Sequence, residues 1–275
     1  MGAQSTLKAI AAAPLTRHWV TLPNEHLYQY VSAGNPAGPP LLFLHGFTDS
    51  WRSVEPLLPY LVERFQVLAL DQRGHGDTGA KFDSYRLEDF AGDAIDFIVS
   101  TVGRPVTLVG HSLGSLIAQR VAALRPDLVD RLVLIGAADT TKGHAGLEEL
   151  LAAVVELPDP VPLEFAREFQ FGTLHHPIDP AQLDRFVAES HRVPLRVWRA
   201  VLAGLLADGQ VVSDRIAAPT LILWGDHDAI FDRSAQERLR SAIPDARLVV
   251  HPDTGHAPHW ERPREAAAEI IAFHA

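Results

Sequence analysis

Gly110-His111-Ser112-Leu113-Gly114 sets one serine between two glycines, directly after the apolar run VTLVG and just before the helix-like stretch LIAQRVAAL. A serine hydroxyl is nearly inert at neutral pH. To act as a nucleophile it needs a base within hydrogen-bond reach, a group that orients the base, and donors where an oxyanion develops. The G-x-S-x-G pattern supplies exposure: a tight turn from buried strand to helix projects the hydroxyl from the carboxyl edge of a sheet, and the glycines let two backbones pack where a Cβ would collide. The helix N-terminus beside it favours negative charge. Other spacings with chemical potential read more blandly. DQRGHG around His75 lacks both the P-loop lysine and the G-x-G-x-x-G spacing, so no nucleotide is expected. His175-His176 and the trio His251, His256 and His259 come without an H-E-x-x-H pairing, so neither metal nor any other cofactor is expected.

Short apolar runs alternating with amphipathic stretches must position that serine. HWVTLP (18–23) and LYQYVSA (27–33), separated by Asn24-Glu25-His26, read as an antiparallel pair. PLLFLHG (40–46) and FQVLALD (65–71) are nearly continuous apolar runs, as strands covered on both faces require, and WRSVEPLLPYLVER between them has helical spacing. SYRLEDFAGDAIDFIVSTVG (84–103) repeats apolar residues at Leu87, Phe90, Ala94, Phe97 and Ile98, one greasy side of a helix. VTLVG, LIAQRVAAL and RLVLIG (131–136) complete a strand, helix, strand unit, and the alternation predicts a mostly parallel sheet with right-handed crossovers. After Gly136 the rhythm breaks. Residues 138–214 hold only helical pieces punctuated by prolines, and the sheet pattern resumes with PTLILWG (219–225), the helix DRSAQERLRSAI, the strand ARLVVHP (246–252) and a last helix from Arg262.

Composition narrows the partners. The chain has 275 residues, 47% hydrophobic and 21% charged, enough for a large core and a pocket. A net charge of -10 without any Lys/Arg run repels a phosphate backbone, so no nucleic-acid partner is expected. The absence of cysteine removes disulfides, thiol nucleophiles and thiolate metal sites. AIAAAPL after Lys8 is too short and weak for a secretory signal, and no apolar run reaches the ~20 residues that span a bilayer, which leaves a cytoplasmic protein, without membrane association, as the expectation. Met1-Gly2-Ala3-Gln4-Ser5-Thr6 fits the loose M-G-x-x-x-[ST] acylation pattern, which six positions meet readily by accident.

HGFTDSW (45–51), DQRGHGDTG (71–79), GHSLGS (110–115), WGDHD (224–228) and GHAPHWERP (255–263) occur in this order, each at the end of a predicted strand. Together they resemble the α/β-hydrolase fold along nearly the whole chain. The resemblance implies a mostly parallel eight-stranded sheet flanked by helices, with residues 1–137 and 215–275 as the core domain and 138–214 as a helical cap inserted after the sixth strand. In the family the triad follows the order nucleophile, acid, histidine, which falls here on Ser112, Asp228 and His256. Imidazole exchanges a proton near neutral pH, as that role requires. The acid has alternatives: Asp226 lies in the same turn and more naturally fixes it, and Asp139 follows the preceding core strand, where some relatives carry the acid. The oxyanion hole is implied at the backbone N–H groups of Phe47 and Leu113, with His45 and His111 bracing their loops.

The insertion offers Phe165, Phe169, Phe171, Phe186 and Trp198 and no tyrosine. Epoxide-opening relatives use an aspartate nucleophile with cap tyrosines, and dehalogenating relatives also need the aspartate, so Ser112 speaks against both. An apolar ceiling, with Phe47, Trp198 and Ile230 as wall candidates, suits a substrate with a greasy acyl or alcohol portion. The expectation is a carboxylic ester or lactone hydrolase acting on a small molecule through an acyl-enzyme, as a monomer or homodimer. Carbon–carbon bond cleavage of the meta-cleavage type is the first alternative, although those relatives usually carry tryptophan after the histidine, where this chain has Ala257. Perhydrolase or acyltransfer chemistry would use the same triad, and a non-enzymatic small-molecule receptor would keep the same fold.

Overall fold

Strands with apolar residues at every position can only be buried on both faces, and the sheet is built that way. The structure, a computed structural model, describes residues 14–79, 81–209 and 213–274; the acylation pattern at the N-terminus lies outside the described residues. In chain order the strands are β1 (Thr16–Thr21), β2 (Leu27–Gly34), β3 (Pro40–Leu44), β4 (Gln66–Leu70), β5 (Val106–His111), β6 (Val129–Ile135), β7 (Thr220–Gly225) and β8 (Ala246–His251). They form one eight-stranded sheet in the order β1-β2-β4-β3-β5-β6-β7-β8. β2 is antiparallel to both neighbours and every other pair is parallel. Phe43 pairs with Ala69 on one side and Val109 on the other, so the strands at the centre are in register at the depth of the core.

Alternate residues feed two cores. Leu42, Leu44, Leu68, Leu70, Leu108, Leu132, Leu134 and Ile222 face α2 (Leu87–Phe97) and α3 (Leu113–Leu124). Leu41, Phe43, Val67, Val109, Val133, Leu221 and Leu223 face the segment Trp51–Leu57, the single turn α1 (Leu58–Leu61) and the C-terminal α10 (Pro263–His274). Each such side chain contributes roughly 1.5–3 kcal/mol on burial. The predicted helix over 51–64 differs in detail: it starts as a 3₁₀ stretch, in which Pro56 has no N–H to give an α-helical ladder. The last predicted helix, from Arg262, is α10, opened by Pro263, and a short turn, α9 (Pro258–Glu261), precedes it.

Between β6 and β7 lie α4 (Ala145–Val155), α5 (Leu163–Phe171), α6 (Pro180–Arg192) and α7 (Leu195–Asp208), and α8 (Arg233–Ala242) follows β7. Asp179 caps α6 by accepting from Gln182 N at 2.9 Å, and Pro162 and Pro194 stand directly before α5 and α7. The two ends of the insertion are tied together at Thr141, whose N–H donates to Gly209 O at 2.9 Å and whose hydroxyl donates to Leu205 O at 2.7 Å. Over the sheet edge, Phe169 and Trp198 of the insertion close on Phe47 of the core, with ring centroids 5.8 and 5.1 Å away. Among the described residues no helix is long and apolar enough to cross a membrane.

Candidate active site

Ser112, Asp228 and His256 each sit past the carboxyl end of a parallel strand, β5, β7 and β8 respectively, where ligands bind in open α/β sheets. Ser112 follows β5 in a conformation that side-chain-bearing residues rarely adopt, φ 50° and ψ −116°. Such strain costs of order 1–3 kcal/mol and persists only where the surroundings impose it. Here Ser112 N donates to Ile135 O at 3.0 Å, and its carbonyl accepts from Ser115 N at 2.8 Å, which starts α3 immediately. A Cβ on Gly110 would overlap the Gly114 carbonyl, and one on Gly114 would overlap the Leu44 carbonyl. Both glycines are therefore needed to let α3 start against β5 and β3 with the serine raised between them.

Asp228 and His256 meet from two different loops. His256 Nδ1 lies 2.9 Å from Asp228 Oδ2, and the side chains are 2% and 0% exposed. The other carboxyl oxygen accepts from Ile230 N at 2.8 Å and Phe231 N at 3.0 Å. An acceptor so placed makes Nδ1 the protonated ring nitrogen and leaves Nε2 with a free lone pair. That Nε2 has no hydrogen-bond partner among the described residues. Ser112 and His256 line one recess of about 30 Å³, together with Gly46, Phe47, His111 and Thr173. Gly136, at φ 52°, has to be a glycine here: a Cβ would stand 2.9 Å from the His256 ring. Sequence reading had no handle on it, because only the fold brings the end of β6 against the loop after β8.

The competing carboxylates are occupied elsewhere. Asp226 Oδ1 accepts from Asp253 N at 2.6 Å, fixing the turn, and Asp139 pairs with Arg238 at 3.2 Å on the surface. His45 bonds Gly46 O through Nδ1 at 2.8 Å while Nε2 accepts from Gln72 N at 3.1 Å, so it does brace its loop. His111 is not braced in that way, since Asp49 Oδ2 lies 3.7 Å from Nδ1, outside hydrogen-bond reach. Instead it packs against the rings of His256 and His259, at 5.1 and 4.4 Å. Gln170, from the insertion, donates to Asp49 at 2.9 Å and to Ser190 at 2.7 Å, joining the loop after β3 to α5 and α6.

From Ser112 a cavity of about 300 Å³ opens beneath the insertion, lined by Phe47, Leu113, Leu116, Leu147, Leu150, Phe169, Ile230 and Phe231 among others. Phe47 and Ile230 stand on its wall. Trp198 is not: it is 0% exposed and stacks edge-on behind Phe47 and Phe169, each 5.1 Å away, so those two rings stand in the position expected of it. Among the described residues no Lys or Arg lines the cavity, and its acidic wall residue is Glu168.

The buried imidazoles give the site loops a pH signature. Burial lowers His45 to about 3 and His75 to about 4, and lowers His111 and His259 as well. A histidine with a depressed folded pKa takes up its proton on unfolding, so stability is lost as pH falls from about 6.5 towards 4, at up to about 1.4 kcal/mol per pH unit for each group. Asp71, raised by burial to about 7, acts in the opposite sense over much of that window, and the four imidazoles outnumber it. The melting temperature is therefore expected to drop steeply between pH 6.5 and 5 in a thermal scan, whereas a flat profile would show that these rings are not held neutral.

With that geometry in place, the comparisons with known proteins agree on a family. A family model described as the alpha/beta hydrolase fold matches residues 39–263. The 2-(acetamidomethylene)succinate hydrolase of Mesorhizobium japonicum is 31% identical over 249 residues, which cover 86% of this chain and 88% of that protein. The pimeloyl-[acyl-carrier protein] methyl ester esterase of Chromobacterium violaceum is 31% identical over 230 residues, 80% of this chain and 88% of that one. A solved bacterial membrane phospholipase A, described as a virulence factor, superposes with a TM-score of 0.80 at 29% identity, over 94% of this chain and 85% of its own. Fold, strand order and relatives lead to one conclusion: the chain is a hydrolase that belongs to the alpha/beta hydrolase fold family.

Proposed function

We propose that the protein hydrolyses carboxylic esters or lactones of small, partly hydrophobic molecules through an acyl-enzyme on Ser112, with His256 as general base and acid and Asp228 as the group that orients it. The observation that carries this reading is the unpaired Nε2 of His256, whose ring Asp228 holds from behind and which shares a recess with Ser112. Nε2 takes the hydroxyl proton as Oγ attacks the carbonyl carbon. The Phe47 and Leu113 amides, which have no acceptor among the described residues, donate to the oxyanion. Collapse expels the alcohol, which leaves with the proton from His256, and a water deprotonated by the same nitrogen then releases the acid. Residues 138–214 act as the cap that walls the acyl portion from solvent.

The cavity supports neutral substrates. Without a Lys or Arg on its wall among the described residues and with Glu168 present, it would repel a dicarboxylate, which makes the substrate named for the Mesorhizobium relative a poor fit. The esterase and phospholipase relatives are named for esters, and an apolar space of about 300 Å³ holds on the order of ten groups the size of a water molecule. Ester hydrolysis is favoured over the carbon–carbon reading by Ala257 in the position after the histidine. A p-nitrophenyl ester series tests the proposal. Each methylene that enters the cavity transfers about 0.8 kcal/mol, so kcat/KM should rise about three- to fourfold per carbon through medium acyl lengths and then fall. An enzyme inert on the whole series would favour the receptor reading instead.

A further inference from the structure

A second cluster of chemistry-bearing side chains lies on the surface, outside the recess. One ring nitrogen each from His175 and His227 and one carboxylate oxygen of Asp253 all lie within 4.8 Å of one another. His175 Nε2 is 3.1 Å from Asp253 Oδ1, and His176 Nε2 is 2.8 Å from Oδ2. The His175 and His227 rings stack at 3.9 Å, with 8° between their planes. The sequence sets His175-His176 aside for want of an i, i+4 partner, and the fold supplies the third donor from a different loop.

We propose that His175, His227 and Asp253 form a site for a borderline transition-metal dication, Zn²⁺ or its neighbours, which fastens the helical insertion to the two loops carrying Asp228 and His256. Two imidazoles and a carboxylate suit such ions over Mg²⁺ or Ca²⁺, which prefer oxygen-only sets. Bonds of about 2.0–2.2 Å require the donors to close up from their present spacing. Turning one exposed imidazole out of the stack brings this about, since His175 and His227 are 32% and 52% exposed. The supporting contacts are already present. His176 would hold the free oxygen of a ligating Asp253, as outer partners of metal ligands do. Asp226 fixes the Asp253 backbone, which sits at φ 55°, and Glu261 accepts from the N–H groups of His175, His176 and Gly255. Arg262, 4.0 Å from Asp253 Oδ2, opposes the ion in part.

The placement gives the ion a consequence. His175 stands four residues after the end of α5, His227 directly before Asp228, and Asp253 three residues before His256. Main-chain bonds already join these segments, from His256 N to Thr173 O and from His227 N to Thr254 O, both 2.9 Å. A dication adds a crosslink across the same three stretches of chain.

Calorimetric titration of the EDTA-stripped full-length protein with ZnCl₂, followed by hydrogen exchange of the loaded protein, tests this. Expected are one saturable equivalent, slower exchange in residues 173–176, 226–228 and 253–256, and losses of more than about tenfold in affinity for His175→Gln and His227→Gln, with about tenfold for His176→Gln. The variants' metal-free melting temperatures, unchanged from the parent, exclude misfolding as the cause. No saturable uptake, uptake that both substitutions leave intact, or equal competition by MgCl₂ would each overturn the site. None of these readouts depends on ester turnover, so the outcome is independent of the proposed reaction.

Discussion

Ser112→Ala is expected to lower kcat on a medium-chain p-nitrophenyl ester by about 10⁵- to 10⁶-fold, the size of loss that follows removal of the nucleophile from such a unit. KM should change little, because the apolar walls that bind the acyl chain remain and the hydroxyl contributes to the transition state rather than to uniform binding. His256→Ala should cost about as much, and the double variant hardly more, since neither group works without the other. Stopped-flow and long-time-course assays on the three variants measure this directly. Full additivity of the two losses would mean that Ser112 and His256 act in separate processes, which the shared recess does not support.

Asp228→Asn is the second large effect, about 10⁴-fold in kcat, and its cause is a tautomer. The carboxamide that this substitution puts in place of the carboxylate keeps an oxygen for the Ile230 and Phe231 amides, and so turns its NH₂ towards His256 Nδ1. The ring must then carry its proton on Nε2, the nitrogen that has to accept from Ser112. Asp226→Asn retains an oxygen for Asp253 N, and Asp139→Asn loses only an exposed pair with Arg238. Both should stay within a few-fold of the parent, exposed ion pairs being worth about 0–1 kcal/mol. Parallel kinetics of the three substitutions rank the carboxylates, and a larger loss at 226 or 139 than at 228 would reverse the assignment.

What could be read in advance follows from the range of the interactions involved. The glycine–serine–glycine turn is local, and its two steric demands, Gly110 against Gly114 and Gly114 against Leu44, leave their mark within a few residues of the strand end. The central strands were legible because burial on both faces leaves no polar positions to interrupt them. Family resemblance pointed to Asp228 and His256, but which of the two turn carboxylates, Asp226 or Asp228, faces inward shows only in the contacts Asp228 makes with the His256 ring and with the Ile230 and Phe231 amides. Trp198 failed as a wall because an aromatic on a cap helix can face either the cavity or the helix's own support, and here Phe47 and Phe169 lie in front of it. Gly136, Gln170 and the pairing of His175 with His227 depend on contacts between segments far apart in the chain, for which a single sequence carries no local signal.

The most direct measurement is peptide mass mapping after exposure to a p-nitrophenyl alkylphosphonate, which mimics the tetrahedral adduct and needs a proton-accepting imidazole to react. The account predicts one phosphonyl group per chain on the peptide containing Ser112, with labelling slowed by orders of magnitude in His256→Ala. An unlabelled protein, or a label on Ser53 or Ser115 in place of Ser112, would contradict it.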